Sequence, residues 1–467
     1  MGVEVNAAGL RVGLVANGWP PDVGGVPRQV EMLARGLLAR GARPTVLALS
    51  QAPERQPGTS WAEELWPFPV RRFRADYGRE ANLMDGVQHP AAEQELVRWA
   101  AAEKLDLVHL HHLTGFGLGC LSALGQRGLR TVLTLHDYWC FCPRGQMWHV
   151  SGRACAAVDE RECGACLART WPGIMPSAGK TAESAAEGRA AGAALDGRAV
   201  AERLSFVGEQ LAYPSELVTP SHRAAQVLAA CGLDRGRIVV LPGGSELPSS
   251  LAAEGDKSEQ ANPVGGPAGG PAGTSTGTRA SAPAGVPAGI AGRRGAAGLR
   301  VGVLGATQTS KGALFLARVV AAAPELTVEL HIHGPAVADH GDTSGLQELA
   351  QLAARDRRIH LHGAFAPEDL AEILAGLDAL AAPALWEETF GLTVREARAA
   401  GLPVLVSDRG ALAEGLTVGP YLTVLPAGEG RAWAAALAEL RVLPREPDPL
   451  VPSAADFVQA HLEIYAG

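Results

Sequence analysis

The run Leu299-Arg-Val-Gly-Val-Leu-Gly305 opens the second half of the chain as Leu10-Arg-Val-Gly-Leu-Val-Ala16 opens the first. Each is a short apolar stretch that leads into a loop with Gly or Pro and then into a helical pattern. In the first half the helix ends near Arg40-Gly41, and a strand is expected from Thr45 to Leu49, with others at 107–110 and 130–135. In the second half strands are expected at 327–333, 358–362, 378–382 and 403–406, with helical patterns between them. Strands alternating with helices imply a parallel sheet with both faces covered. Two such units make two doubly wound α/β domains. Ligands of such sheets sit beyond the carboxyl ends of the strands, so the loops after strands are where chemistry is sought.

The 467 residues suit two or three domains, and a hydrophobic fraction of 47% is ample for real cores. Part of the glycine and proline excess falls at 263–298, where thirty of 36 residues are Gly, Pro, Ala, Ser or Thr. Such a stretch has nothing to bury and reads as a disordered linker. It divides the chain into a first domain at 1–248, a linker at 249–298 and a second domain at 299–467. The net charge of −8 argues against a broad basic surface, and 5% aromatic residues argue against a stacking platform, so no nucleic-acid polymer is expected as a partner. No apolar run approaches the ~18–20 residues of a membrane span, and Met1 to Ala7 has neither a basic nor an apolar leader pattern. A cytoplasmic location with reduced thiols is the expectation.

The richest segment is Pro383-Ala-Leu-Trp-Glu-Glu-Thr-Phe-Gly-Leu-Thr-Val-Arg-Glu-Ala-Arg-Ala-Ala-Gly-Leu-Pro403. A strand gives way to a Pro-containing loop, and a helix begins near Gly391 and ends before Gly401. The free amides at that helix start form an anion site, which Gly391 lets a phosphate approach closely. Glu388 stands just before the helix and Glu396 lies inside it. Acids near a helix start are favoured by the dipole alone, but two carboxylates bracketing an anion site also suit a sugar nucleotide, with the diphosphate between them.

The whole run resembles the glutamate-x7-glutamate motif of retaining GT-B glycosyltransferases of family GT4, including Phe390-Gly391, Glu396-Ala397 and Gly401-Leu-Pro-Val. Pro20-Pro-Asp-Val-Gly-Gly25 looks like the family's N-terminal glycine loop, with Gly24 and Gly25 ahead of a helix expected to start near Pro27. Lys311-Gly312 is expected to open the first helix of the second half, where family members set a lysine against the donor diphosphate. Thr134-Leu-His136-Asp137-Tyr138-Trp139 matches a segment in which the family often has a histidine near donor sugar and acceptor. His111 and His112, after the strand at 107–110, are read at most as lining a cleft. One departure stands out: many members have an arginine five residues before the lysine, and this chain has Ala306.

Five of the seven cysteines fall between 140 and 166. Cys163-Gly-Ala-Cys166 is a C-x2-C knuckle, and Cys142 and Cys155 could complete a four-thiolate structural zinc site, an iron–sulfur cluster, or a set of plain loop thiols.

The resemblance implies two Rossmann-like domains facing a central cleft, with the helical segment around Phe457 to Tyr465 crossing back to the first. It implies transfer of a sugar, with retention, from a UDP-, GDP- or ADP-sugar to a glycan, lipid-linked or small-molecule acceptor. Peripheral membrane contact is compatible with a lipid-linked acceptor. No catalytic cofactor is implied. Glu388, Lys311 and His136 would act at the reacting sugar, and Gly24, Gly25, Phe390, Gly391, Leu392 and Glu396 would help bind the donor. Two other readings stay open: a nucleotide-sugar-binding scaffold without turnover, given Ala306, and more distantly a Rossmann oxidoreductase, although no G-x-G-x-x-G follows either opening strand.

Overall fold

The computed structural model describes residues 7–22, 24–75, 82–172, 197–247 and 298–467. The linker expected at 249–298 lies outside them except for its last residue. In the first domain the order is β1 (Arg11–Ala16), α1 (Gly25–Ala39), β2 (Arg43–Ser50), β3 (Ser60–Glu63), β4 (Val70–Arg74), α2 (Pro90–Ala102), β5 (Leu107–Leu110), α3 (Gly119–Gly125) and β6 (Arg130–Thr134). It continues with α4 (Glu160–Thr170), α5 (Gly197–Gln210), β7 (Glu216–Thr219), α6 (His222–Ala230) and β8 (Ile238–Val240). The second domain runs β9 (Leu299–Leu304), α7 (Ala313–Ala322), β10 (Val328–His333), α8 (Ser344–Arg355), β11 (Ile359–Gly363), α9 (Leu370–Ala375) and β12 (Ala379–Ala382). It closes with α10 (Leu392–Ala399), β13 (Val404–Ser407), β14 (Leu422–Leu425), α11 (Gly430–Glu439) and α12 (Ala454–Ala466).

Among the described residues the sheets are eight-stranded, β3-β4-β2-β1-β5-β6-β7-β8, and six-stranded, β11-β10-β9-β12-β13-β14. Every pairing is parallel except that of β3 with β4. Both orders reverse beside their first strand, between β1 and β5 and between β9 and β12. A crevice opens at such a reversal because neighbouring connections leave toward opposite faces. The strands at the two reversals are apolar on both sides, as a sheet covered by helices requires. In α1, Val30, Leu33, Ala34 and Leu37 recur at helical spacing and are all fully buried.

The last helix, α12, belongs to the first domain's core. Its start is closed by a capping box: Ser453 Oγ accepts from the Asp456 amide at 3.2 Å, and Asp456 Oδ2 accepts from the Ser453 amide at 3.0 Å. Phe457, Val458, Leu462 and Tyr465 pack into the apolar cluster of α1, β1 and β2. Each such burial stabilises by about 1.5–3 kcal/mol. At its far end Arg130 donates to the carbonyls of Ile464 and Tyr465, both at 2.6 Å, satisfying acceptors that a helix terminus leaves open.

α12 reaches α1 because Gly36 has no side chain; a Cβ there would overlap Val458. Helix propensity alone makes Gly36→Ala stabilising by about 0.5–1 kcal/mol. The contact reverses that sign. The expected result is a loss of about 1–3 kcal/mol from overpacking, read as a lower denaturant midpoint at an unchanged slope.

Candidate functional site

The loop between β12 and α10 carries most of the site, and backbone hydrogen bonds hold it in place. The Leu385 amide donates to Ser310 O at 2.8 Å, and the Ala411 amide donates to Glu388 O at 2.7 Å. Ser407 Oγ donates to Ala384 O at 2.6 Å. Gly391 turns the chain into α10 with φ +75°, and a Cβ there would lie 2.6 Å from Leu412. The positive φ is what calls for glycine at this corner, since the end of the Leu412 side chain can shift. Beneath it the buried Arg395 guanidinium donates to the carbonyls of Phe390, Ala411, Leu412 and Glu414. Arg395 is therefore spent on the scaffold.

Glu388 and Lys311 meet. Glu388 Oε2 accepts from Lys311 Nζ at 2.6 Å and from Trp386 Nε1 at 3.1 Å, and the ammonium lies 4.8 Å from the Trp386 ring centre. Lys311 ends the 3-10 turn Thr309–Lys311, two residues ahead of α7, rather than opening that helix. Its ammonium has three donors, so two remain after the bond to Glu388.

Glu396 points instead to the first domain. Arg28 Nη1 lies 2.7 Å from Glu396 Oε1, while Glu396 Oε2 is buried without a hydrogen-bond partner among the described residues. Burial raises the carboxyl from an ordinary 4.5 to about 7, against the opposing pull of Arg28. α1 begins at Gly25, two residues before the expected Pro27, which brings Arg28 into its first turn.

Gly24, Gly25, His136, Lys311, Glu388, Phe390, Gly391, Leu392 and Glu396 all line one cleft of about 410 Å³ between the domains. Ala306 lines it too. Among the described residues the lining cations are Lys311 and Arg28. Arg28 was not singled out from the sequence. Its only signal was a basic residue three places after Gly25, where the helix dipole disfavours positive charge. Thr389 was also missed, although it ties the domains: its Oγ1 donates to His136 O at 2.7 Å, and its own carbonyl accepts from Ser221 Oγ at 2.7 Å.

The histidines divide. His136 Nε2 faces His111 Nδ1 at 3.2 Å, and both line the cleft. Burial pushes His136 down to about 3, so the ring is neutral near pH 7 and serves as a hydrogen-bond partner, not a cation. His112 turns to Asp137 at 3.0 Å and is absent from the cleft lining. His109 bonds Tyr465 Oη at 2.6 Å and Thr134 Oγ1 at 2.7 Å, deep in the core.

Cys142, Cys155, Cys163 and Cys166 fall in one region, but no three of their sulfurs lie within 4.8 Å of one another. Cys166 Sγ accepts from the Val150 amide at 3.3 Å, and burial raises Cys155 and Cys163 to about 11, so both are thiols at neutral pH. Cys120 is buried in α3 and Cys231 is half-buried at the end of α6.

Residues 23–159 match the family model Glycosyltransferase Family 4, and residues 298–441 match Glycosyl transferases group 1. The chain is a GT4-like glycosyltransferase of the GT-B fold. A D-inositol 3-phosphate glycosyltransferase of Corynebacterium urealyticum is 29% identical over 145 residues, 30% of this chain and 34% of that protein. The match thus spans about a third of that relative's length.

Solved structures share the fold over nearly the whole chain. Sucrose-phosphate synthase from Thermosynechococcus elongatus superposes with TM-score 0.60 at 16% identity, covering 97% of this chain and 94% of that one. Anabaena HepE, in complex with UDP and glucose, gives 0.59 at 14%, covering 98% and 100%. An α,α-trehalose-phosphate synthase (UDP-forming) from Burkholderia xenovorans, in complex with glucose-6-phosphate, gives 0.61 at 12%, covering 98% and 100%.

The raised Glu396 carboxyl has a consequence for stability. The folded state holds this proton more tightly than the unfolded chain, so the group's contribution is full below 4.5 and is lost as pH rises through about 7. Glu396→Gln stays neutral throughout. Denaturant midpoints measured from pH 4.5 to 8 should show the wild type losing up to about 3 kcal/mol relative to the variant.

Proposed function

We propose that the protein transfers a sugar from a nucleotide-sugar donor to a hydroxyl acceptor, with retention at the anomeric carbon. The observation that supports this most is the placement of Lys311, Glu388, the amides at the start of α10 and Glu396 along one wall of the cleft, opposite Gly24 and Gly25.

In this reading the diphosphate sits at the start of α10, where free amides and the helix dipole favour an anion. Lys311 adds its two uncommitted donors to the leaving oxygens, supplying charge where it develops as the bond to the anomeric carbon breaks. No divalent ion is assigned this task. Glu388 holds Lys311 and accepts from donor-sugar hydroxyls. The orphaned Oε2 of Glu396 accepts from the ribose. Arg28 supplies the second cation of the cleft, from the domain opposite the loop that carries Ala306.

The acceptor enters from the first domain, beside His136 and the Gly25 loop. Its hydroxyl attacks the anomeric carbon on the face from which the diphosphate departs, and its proton passes to the departing phosphate oxygen. Glu388 is not assigned as a nucleophile: its Oε2 is already engaged by two donors. The bonds through Thr389 hold the domains together over the site, which excludes water from the activated sugar. HepE and the trehalose-phosphate synthase carry UDP with glucose and glucose-6-phosphate in their respective complexes. These support a UDP-sugar as the first donor to try and a sugar or sugar phosphate among the acceptors. We place the reaction in the cytoplasm, at the membrane surface where the acceptor is lipid-linked.

A thermal-shift screen against UDP-, GDP- and ADP-sugars should name the donor base, and a transfer assay with that donor should then yield product. Lys311→Ala and Glu388→Ala should each lower kcat/KM by about 100-fold or more while circular dichroism stays unchanged. The product's anomeric configuration by NMR should equal the donor's. Full activity in both variants would overturn the site, and donor binding without turnover across a broad acceptor panel would favour a binding scaffold.

A further inference from the structure

A second group of ligating side chains lies on the edge of the second sheet, apart from the cleft. Along β10, Val328, Leu330 and Ile332 are buried in the core against α7. Side chains alternate on a strand, so Glu329, His331 and His333 share the other face. The edge strand β11 places His360 in register with His331, and their rings stack 4.7 Å apart.

His331 has two distinct sides. Its Nδ1 lies 3.0 Å from His362 Nε2, within hydrogen-bond reach. Its Nε2 lies 3.6 Å from Glu329 Oε2, too far for a hydrogen bond. The Nε2 atoms of His331 and His360 are both buried and have no hydrogen-bond partner among the described residues. If His331 Nδ1–H donates to His362, its Nε2 carries a bare lone pair. Ligand atoms of Glu329, His331 and His360 all lie within 4.8 Å of one another.

Buried polar atoms left without partners are costly and uncommon. Acceptors converging on one point repel unless something positive lies between them. A metal-bound histidine ordinarily uses its second ring nitrogen to donate to a neighbouring acceptor, and His362 occupies that place for His331. Two imidazoles and a carboxylate are a ligand set for zinc and its neighbours, with a fourth position left to water.

We propose that Glu329, His331 and His360 bind one late first-row divalent cation, Zn2+ being the type, which ties edge strand β11 to β10. None of the three lines the donor cleft, so the site is independent of the sugar-transfer residues. A neighbouring trio, His331, His333 and His362, is equally compact. Within it His331 Nδ1 and His362 Nε2 already face each other at 3.0 Å.

The test uses the full, untagged chain stripped with EDTA. Calorimetric titration with ZnCl2 should show one site per chain. Glu329→Gln and His360→Asn should each weaken it by at least about tenfold, the scale of losing a supporting partner. His333→Asn and Cys163→Ser should leave it unchanged. Zn2+ should raise the wild-type melting temperature by mass action and raise that of His360→Asn less. Co2+ substitution should give visible ligand-field bands without a thiolate charge-transfer band. Unchanged affinity in Glu329→Gln and His360→Asn, loss on His333→Asn in place of His360→Asn, or a thiolate band would each overturn the assignment. Circular dichroism of each variant confirms that affinity is compared between folded proteins.

Discussion

The path of the chain from Pro383 to Gly391 is the constraint on which the site depends. This loop must leave β12, avoid continuing the strand, and present Glu388 and the first amides of α10 to the same space. Local propensity does not hold it there. The second domain fixes it through Ser310, Ser407 and Ala411, and the first domain fixes it through Thr389. The buried Arg395 fork then ties the turn to the 411–414 segment, donating to the carbonyls of Phe390, Ala411, Leu412 and Glu414. Charge, backbone and domain interface thus meet in nine residues, and the cleft takes its shape from them.

Electrostatics in the cleft follows from burial. Glu388 is largely buried while Lys311 keeps about a third of its side chain exposed, and each is matched by the other at 2.6 Å. Glu396 is almost wholly enclosed, and even a guanidinium at 2.7 Å does not hold it fully ionised. Desolvation outweighs pairing there because one of its oxygens has no partner. His136 illustrates the same rule with opposite sign: enclosed among other imidazoles, it stays neutral. The cleft therefore sets the cations Lys311 and Arg28 beside a neutral His136.

Much of the fold was legible along the chain. The strands expected at 327–333, 358–362, 378–382 and 403–406 are Val328–His333, Ile359–Gly363, Ala379–Ala382 and Val404–Ser407. Their apolar runs are long enough to leave a signal before any packing is known. β4 was missed because Val70-Arg-Arg-Phe-Arg74 does not look like a buried strand. Arg72 is nonetheless buried, because Glu63 on β3 and the carbonyls of Trp19 and Pro20 satisfy its guanidinium. Those partners lie nine and more than fifty residues away, so no local window contains them.

The two doubly wound units, the strand–loop–helix around Glu388 and Glu396, and the glycine loop before α1 can all be read along the chain. Each is written in a contiguous run, where periodicity and turn chemistry act locally. Which side chains meet follows from packing: Glu388 grips Lys311 and Glu396 faces Arg28. Packing alone drew Glu329, His331 and His360 onto one face across two strands. These are meetings of side chains far apart along the chain, and their distances depend on how sheets twist and domains seat, which no spacing in the sequence encodes.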